Sequence, residues 1–160
     1  MFEIVLYRPE IPPNTGNLMR LCVNAPARLH LIEPLGFQLD DRRLRRAGMD
    51  YREMATVQRH RTLTACHEAL GRDRRWLAFS SFARRAYSDW RFESGDVLLF
   101  GSETSGLPGD VLAGVPPERQ LVIPQMPGAR SLNLANAVAV VVFEAWRQQE
   151  FAGALSRSRA

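Results

Sequence analysis

Short apolar runs of strand length alternate with runs of helical spacing along the whole of this 160-residue chain, and that alternation limits its fold more than any other feature. Phe2–Tyr7, Arg28–Ile32, Trp76–Ser80, Val97–Phe100 and Leu121–Ile123 read as strands, each bounded by Pro, Gly, Asn or charged residues. Helical spacing falls at Asn17–Asn24, Asp40–Ala47, Leu63–Leu70 and Ser131–Gln149. Strands separated by helices pair in parallel, because the helix carries the chain back to the starting edge. The expectation is an α/β fold with a mainly parallel sheet and helices on both faces. No repeat or linker divides the chain, so residues 1–150 are expected to form one domain, with 151–160 a flexible tail.

The last helical run is apolar over more than one stripe: Leu132, Leu134, Ala135, Val138, Ala139, Val141, Val142, Ala145 and Trp146. A helix of that kind is buried on more than one side, and a second subunit is the expected cover. The longest unbroken apolar run, Ala137 to Phe143, falls far short of the ~20 residues that cross a bilayer. The first residues read as a strand, not a signal peptide, so a soluble cytoplasmic protein with no membrane partner is expected. Cys22 and Cys66 form no motif, and His30, His60 and His67 lie apart and read as surface or core histidines. No metal site is expected. All 21 basic residues are arginine, against 17 acids, with a pI of about 9.8. Base composition of the genome accounts for that bias without function. Guanidinium forks also grip phosphates in pairs, so the charge permits a nucleic-acid partner without demanding one.

Three loops carry more polar chemistry than a scaffold needs. Pro12-Pro-Asn14-Thr-Gly16-Asn17-Leu-Met-Arg20 follows the first strand. Gly16 is suited to a positive φ and Asn17 to capping a helix whose N-terminus could seat a phosphate; an ordinary strand-to-helix turn fits equally. Gly101-Ser-Glu103-Thr-Ser-Gly106-Leu107-Pro108 has the glycine spacing of a P-loop, but Leu107-Pro108 stands where Lys-Ser/Thr is required. Nucleotide triphosphate chemistry is thus unsupported, and no GxGxxG follows the first strand. Ile123-Pro-Gln-Met-Pro-Gly-Ala-Arg130-Ser131-Leu-Asn133 leads into the apolar helix, with Ser131 as the expected cap. Asn133 and Asn136 should each have a hydrogen-bond duty there. Arg42, Arg45 and Arg46 share one face of the second helical run, as a phosphate-contact patch or as a solvated helix whose charges follow the dipole.

In this order the three loops resemble the SPOUT superfamily of knotted RNA methyltransferases, and within it the small bacterial tRNA 2′-O-methyltransferases of the anticodon wobble position. The likeness runs from Ile4-Val-Leu-Tyr-Arg-Pro-Glu-Ile-Pro-Pro-Asn-Thr-Gly-Asn17, through Arg43-Leu-Arg-Arg-Ala-Gly-Met-Asp-Tyr51, to Asn133-Leu-Ala-Asn-Ala-Val138 and Glu144-Ala-Trp-Arg-Gln148. The resemblance implies a C-terminal deep trefoil knot, a homodimer, and S-adenosyl-L-methionine as cofactor. It implies transfer of a methyl group to the ribose 2′-hydroxyl of nucleotide 34, cytidine or a modified uridine, in the anticodon stem-loop of tRNA, with a leucine tRNA the expected substrate. Carried over by position, Phe79, Gly101, Glu103, Gly106, Leu107, Ile123 and Ser131 bind the cofactor, and Arg20, Arg130 and Asn133 serve catalysis. Asn14, Asn17, Arg42, Arg45 and Arg46 are the expected RNA contacts.

The chain departs from the family pattern at Ser102 (commonly Pro), Ser105 (commonly Arg), Gln125 (commonly Met) and Phe143 (frequently Tyr). Arg20 is expected to orient and stabilise charge rather than to take a proton, since a guanidinium stays charged. The rival readings are the same chemistry on another RNA or tRNA position, and a non-catalytic RNA-binding dimer of the same fold.

Overall fold

The computed structural model describes residues 1–38, 57–71 and 73–155. The second helical run, with Arg42, Arg45 and Arg46, lies outside the described residues. The strands are β1 (Phe2–Tyr7), β2 (Ala27–Ile32), β3 (Val57–His60), β4 (Trp76–Phe79), β5 (Arg85–Ala86), β6 (Val97–Phe100) and β7 (Gln120–Val122). The α-helices are α1 (Pro12–Asn24), α2 (Leu63–Leu70), α3 (Gly109–Ala113) and α4 (Leu134–Gln148). Among the described residues one sheet takes every strand in the order β3-β2-β1-β6-β4-β7-β5, and every strand pairing is parallel. The α/β expectation therefore holds.

Alternation along β1 sorts the core into two layers. Phe2, Ile4 and Leu6 point to the face covered by α1 and α4, with Leu18, Met19, Val138, Val141 and Val142. Val5 points to the other face, with Cys66 of α2, Trp76, Val97 and Leu99. Central parallel strands are covered on both faces, which is why β6 reads Val-Leu-Leu-Phe without a polar residue. The two strands absent from the sequence reading explain themselves. β3 is the polar edge strand Val-Gln-Arg-His, and β5 is two residues long.

Both helix starts differ from expectation. α1 begins at Pro12, not Asn17, and takes in Pro12 and Pro13 at its first positions. Proline's fixed φ suits the first turn, and its missing N–H is one the helix would leave unpaired. Gly16 and Asn17 thus lie inside the helix, Gly16 without a positive φ. α4 begins at Leu134, capped by Asn133 rather than Ser131. The Asn133 Oδ1 accepts from the backbone N–H of Ala135 at 2.9 Å and of Asn136 at 3.3 Å. Asn136, expected to need a partner, is exposed. The same helix leaves Val140 and Phe143 open to solvent. Residues 151–154, expected as flexible tail, turn back on the helix: Trp146 donates its indole N–H to the Ala152 carbonyl at 3.0 Å, and Phe151 meets its ring edge-on. Residues 156–160 lie outside the described residues.

Truncating a fully buried central side chain, Leu98→Ala, is expected to cost about 2–5 kcal/mol in urea unfolding. Leu155→Ala, at an exposed side chain, should stay within about 0.5 kcal/mol.

Candidate functional site

Register brings the carboxyl ends of three strands level: Phe79 of β4 pairs with Phe100 of β6 and with Leu121 of β7. The loops that follow them gather at that end of the sheet, where open α/β folds form ligand crevices. The Phe79 and Phe100 rings stack at 4.4 Å between centroids and form its floor.

The loop after β6 closes on itself. Ser102 and Gly106 exchange two backbone hydrogen bonds at 3.2 and 3.0 Å, and Gly106 turns the chain with φ +68°. The two family departures in this loop touch each other: the Ser102 and Ser105 hydroxyls share a hydrogen bond of 2.8 Å, and Ser102 Oγ also accepts the Ser105 N–H. At Gly101 a Cβ would stand 1.9 Å from the Gly106 carbonyl carbon and 2.2 Å from the Leu107 nitrogen, so only glycine fits.

Glu103 ties this loop to the other two. Its Oε2 accepts the Glu10 N–H at 2.7 Å. Its Oε1 accepts the Ile11 N–H at 3.1 Å and the Asn14 Nδ2 at 2.9 Å. Asn14 Oδ1 in turn accepts from Asn133 Nδ2 at 2.8 Å. One carboxylate and two amides thereby bind the β1–α1 loop, the β6–α3 loop and the start of α4. The Thr104 hydroxyl adds a 2.7 Å bond to Glu10.

The loops enclose a cavity of about 350 Å³, lined by all seven of the expected cofactor residues: Phe79, Gly101, Glu103, Gly106, Leu107, Ile123 and Ser131. Glu103 reaches the wall while both its oxygens are engaged with the β1–α1 segment, so its part there is structural. Ser80, Ser81, Phe82, Gln125 and Leu132 also line the cavity and were not legible as site residues. Phe82 is almost wholly exposed, and only a lone aromatic in a Ser/Arg stretch could have marked it. Arg20 on α1 and Arg130 in the third loop are exposed and outside the cavity wall, as is Asn17. Asn14 is corrected: it is 3% exposed with both ends of its amide engaged, which makes it an internal strut rather than a group presented to RNA. Asn133 is likewise held as cap and strut.

His30 and His60, apart in the sequence, are core histidines that meet in the fold. Parallel pairing puts Ile32 of β2 beside His60 of β3, and His30 Nδ1 lies 3.0 Å from His60 Nε2. His30 Nε2 meets Glu3 Oε2 at 3.0 Å, while Arg74 donates to Glu3 Oε1 at 3.2 Å and Arg28 lies 3.9 Å away. Burial raises the Glu3 carboxyl, but His30 and the two guanidiniums outweigh it and leave the group below its ordinary range. Burial and the neighbouring His30 hold His60 below the usual imidazole value. Burial, helped by Glu3, pushes the Cys66 thiol up to about 12.

The family model described as SpoU rRNA Methylase matches residues 1–143. The chain belongs to the SpoU rRNA Methylase family. Among curated relatives in that family, the tRNA (cytidine(34)-2′-O)-methyltransferase of Methylovorus glucosotrophus is 52% identical over 97% of this chain and 100% of its own length. A solved structure described as "Structural insights into the 2-OH methylation of C/U34 on tRNA" superposes with a TM-score of 0.85 at 46% identity, covering 94% of this chain and 97% of that one. An AdoMet-bound rRNA methyltransferase from Sinorhizobium meliloti superposes with a TM-score of 0.78 at 26% identity, over 91% of this chain and 56% of that one. These superpositions place the chain's fold with that of the two solved methyltransferases.

Gly101→Ala should lower the cavity's affinity for S-adenosylmethionine at least tenfold in calorimetric titration, because the new methyl overlaps the Gly106 backbone. Ala at Gly109, where nothing lies within 4 Å of an added Cβ, should leave affinity unchanged.

Proposed function

We propose that this chain is an S-adenosyl-L-methionine-dependent tRNA 2′-O-ribose methyltransferase that modifies nucleotide 34, cytidine or a modified uridine, with a leucine tRNA as substrate. The observation that carries this reading is the glycine-cradled cavity at the strand ends, lined by every expected cofactor residue, in a chain 52% identical to a curated tRNA (cytidine(34)-2′-O)-methyltransferase over nearly its full length.

The residues fit the cofactor. The cavity volume lies in the range of small-molecule sites, roughly 300–1,000 Å³. Its stacked phenylalanine floor suits an adenine ring, and Gly106, where nothing lies within 4 Å of an added Cβ, leaves room for close approach. When bound, S-adenosylmethionine supplies an electrophilic methyl on a sulfonium, whose departure leaves a neutral thioether. Phe79, Ile123, Leu107 and Ser131 hold and orient it. The protein must align the ribose hydroxyl with that methyl, and this alignment supplies most of the acceleration. Arg20 orients the target nucleotide and stabilises the charge that develops on the 2′-oxygen. It keeps its own proton, so the hydroxyl proton passes to water or to a phosphate oxygen. Arg130 grips the adjacent phosphate, and Asn133 positions the third loop through Asn14.

Asn17, on the exposed side of α1, and Arg42, Arg45 and Arg46 contact the anticodon stem-loop, where unstacked bases and 2′-hydroxyls are within reach of a protein. The C-terminal segment follows the knotted path of the SPOUT superfamily, and two chains pair through α1 and α4. The exposed Val23, Val140 and Phe143 on those helices support that pairing. Among the described residues no helix is long and apolar enough to cross a membrane, in keeping with action on tRNA in the cytoplasm.

Radiolabelled methyl from S-adenosylmethionine should appear at the ribose of nucleotide 34 when unfractionated bacterial tRNA lacking that modification is the substrate. Label elsewhere would assign another RNA position. No label despite a bound cofactor would overturn the tRNA assignment, and no label without cofactor binding would favour the non-catalytic RNA-binding dimer. Arg20→Ala should lower turnover by about 10²-fold or more, with cofactor affinity unchanged.

A further inference from the structure

On the face of the sheet opposite α1 and α4 lies a buried donor set that methyl transfer does not use. His30 comes from β2, His60 from β3 and Cys66 from α2, and they are 1%, 9% and 0% exposed. One ligand atom from each, two imidazole nitrogens and the thiol sulfur, lies within 4.8 Å of the others. Donors around a tetrahedral zinc stand roughly 3.3–3.7 Å apart, given bonds of about 2.0–2.1 Å to nitrogen and 2.3 Å to sulfur. The His30–His60 separation of 3.0 Å needs a few tenths of an ångström of opening, and the sulfur a modest approach.

Orientation of the set is already supplied. Glu3 Oε2 receives His30 Nε2, which directs His30 Nδ1 at His60 Nε2, and Arg74 holds the other Glu3 oxygen. A carboxylate on the far nitrogen of an imidazole is the arrangement that fixes metal-binding histidines. Binding releases to solvent the Cys66 thiol proton and the proton shared between His30 and His60, and the resulting two imidazoles and thiolate favour a borderline-soft ion over magnesium or calcium.

We propose that His30, His60 and Cys66 form a binding site for a zinc-class divalent cation that clamps β2, β3 and α2 together, with Glu3 orienting His30 and a water in the fourth position. This site is independent of the cofactor cavity and of the methyltransferase reading. A three-ligand cage of this kind binds the folded chain alone, so the ion also stabilises it.

Cobalt(II) chloride added to reduced, metal-stripped protein should give a thiolate-to-cobalt charge-transfer absorption that saturates at one equivalent and is bleached by zinc. The absorption should survive Cys22→Ala and vanish in Cys66→Ala, with folding of each variant checked by circular dichroism. His60→Gln keeps the thiol and can still hydrogen-bond His30. It should weaken cobalt binding at least tenfold and abolish the rise in Tm that zinc gives the parent protein. A parent protein without the charge-transfer band, or a band that persists in Cys66→Ala, would overturn the proposal.

Discussion

The site rests on one carboxylate. Glu103 accepts two backbone N–H groups and one side-chain amide from a segment some ninety residues earlier in the chain, and through Asn14 it reaches the cap of α4. Loops at strand ends are the least constrained parts of an α/β domain, because nothing in sheet pairing fixes them relative to one another. Here the loops after β6 and β7, which wall the cavity, share one anchor with the β1–α1 loop. Each hydrogen bond to a charged acceptor contributes roughly 1.5–3 kcal/mol, enough to hold loops whose own turns are weak. The N–H groups of Glu10 and Ile11, just ahead of the helix that Pro12 starts, find their acceptor in Glu103.

The sheet makes this anchor possible. Parallel register sets β4, β6 and β7 level at their carboxyl ends, and the Phe79–Phe100 stack gives the cavity a rigid floor before any loop is added. Gly101 then lets the β6 loop fold back against itself at a distance no side chain would allow. On the reverse face the same β1 strand carries Glu3, whose buried charge is met by His30, Arg28 and Arg74. A single strand thus begins beside a buried polar cluster and ends at the functional loops.

Much of this was legible from residue order. β1, β6 and α2 stand where apolar runs and helical spacing place them, because buried parallel strands and amphipathic helices write their burial directly into the sequence. The seven cavity residues followed from motif resemblance. Three things were hidden, two of them because they depend on contacts distant in sequence. Asn14 looked like a loop amide free to meet RNA, since nothing local reveals that Glu103 and Asn133 close on both ends of it. The start of α1 differs because Asn17 read as its cap, whereas Pro12 and Pro13 form its first turn. His30 and His60, thirty positions apart, become neighbours only through the pairing of β2 with β3, an edge strand whose polar residues carry little strand signal.

The claim that one network holds the cavity open predicts coupling between its members. The direct measurement is a double-mutant cycle on S-adenosylmethionine affinity with Glu103→Gln, Asn14→Ala and the two combined. If Glu103 acts through Asn14 on the α4 cap, the double variant should lose little more affinity than the worse single one. Losses that add in full would mean that the two residues act separately, and would contradict the account.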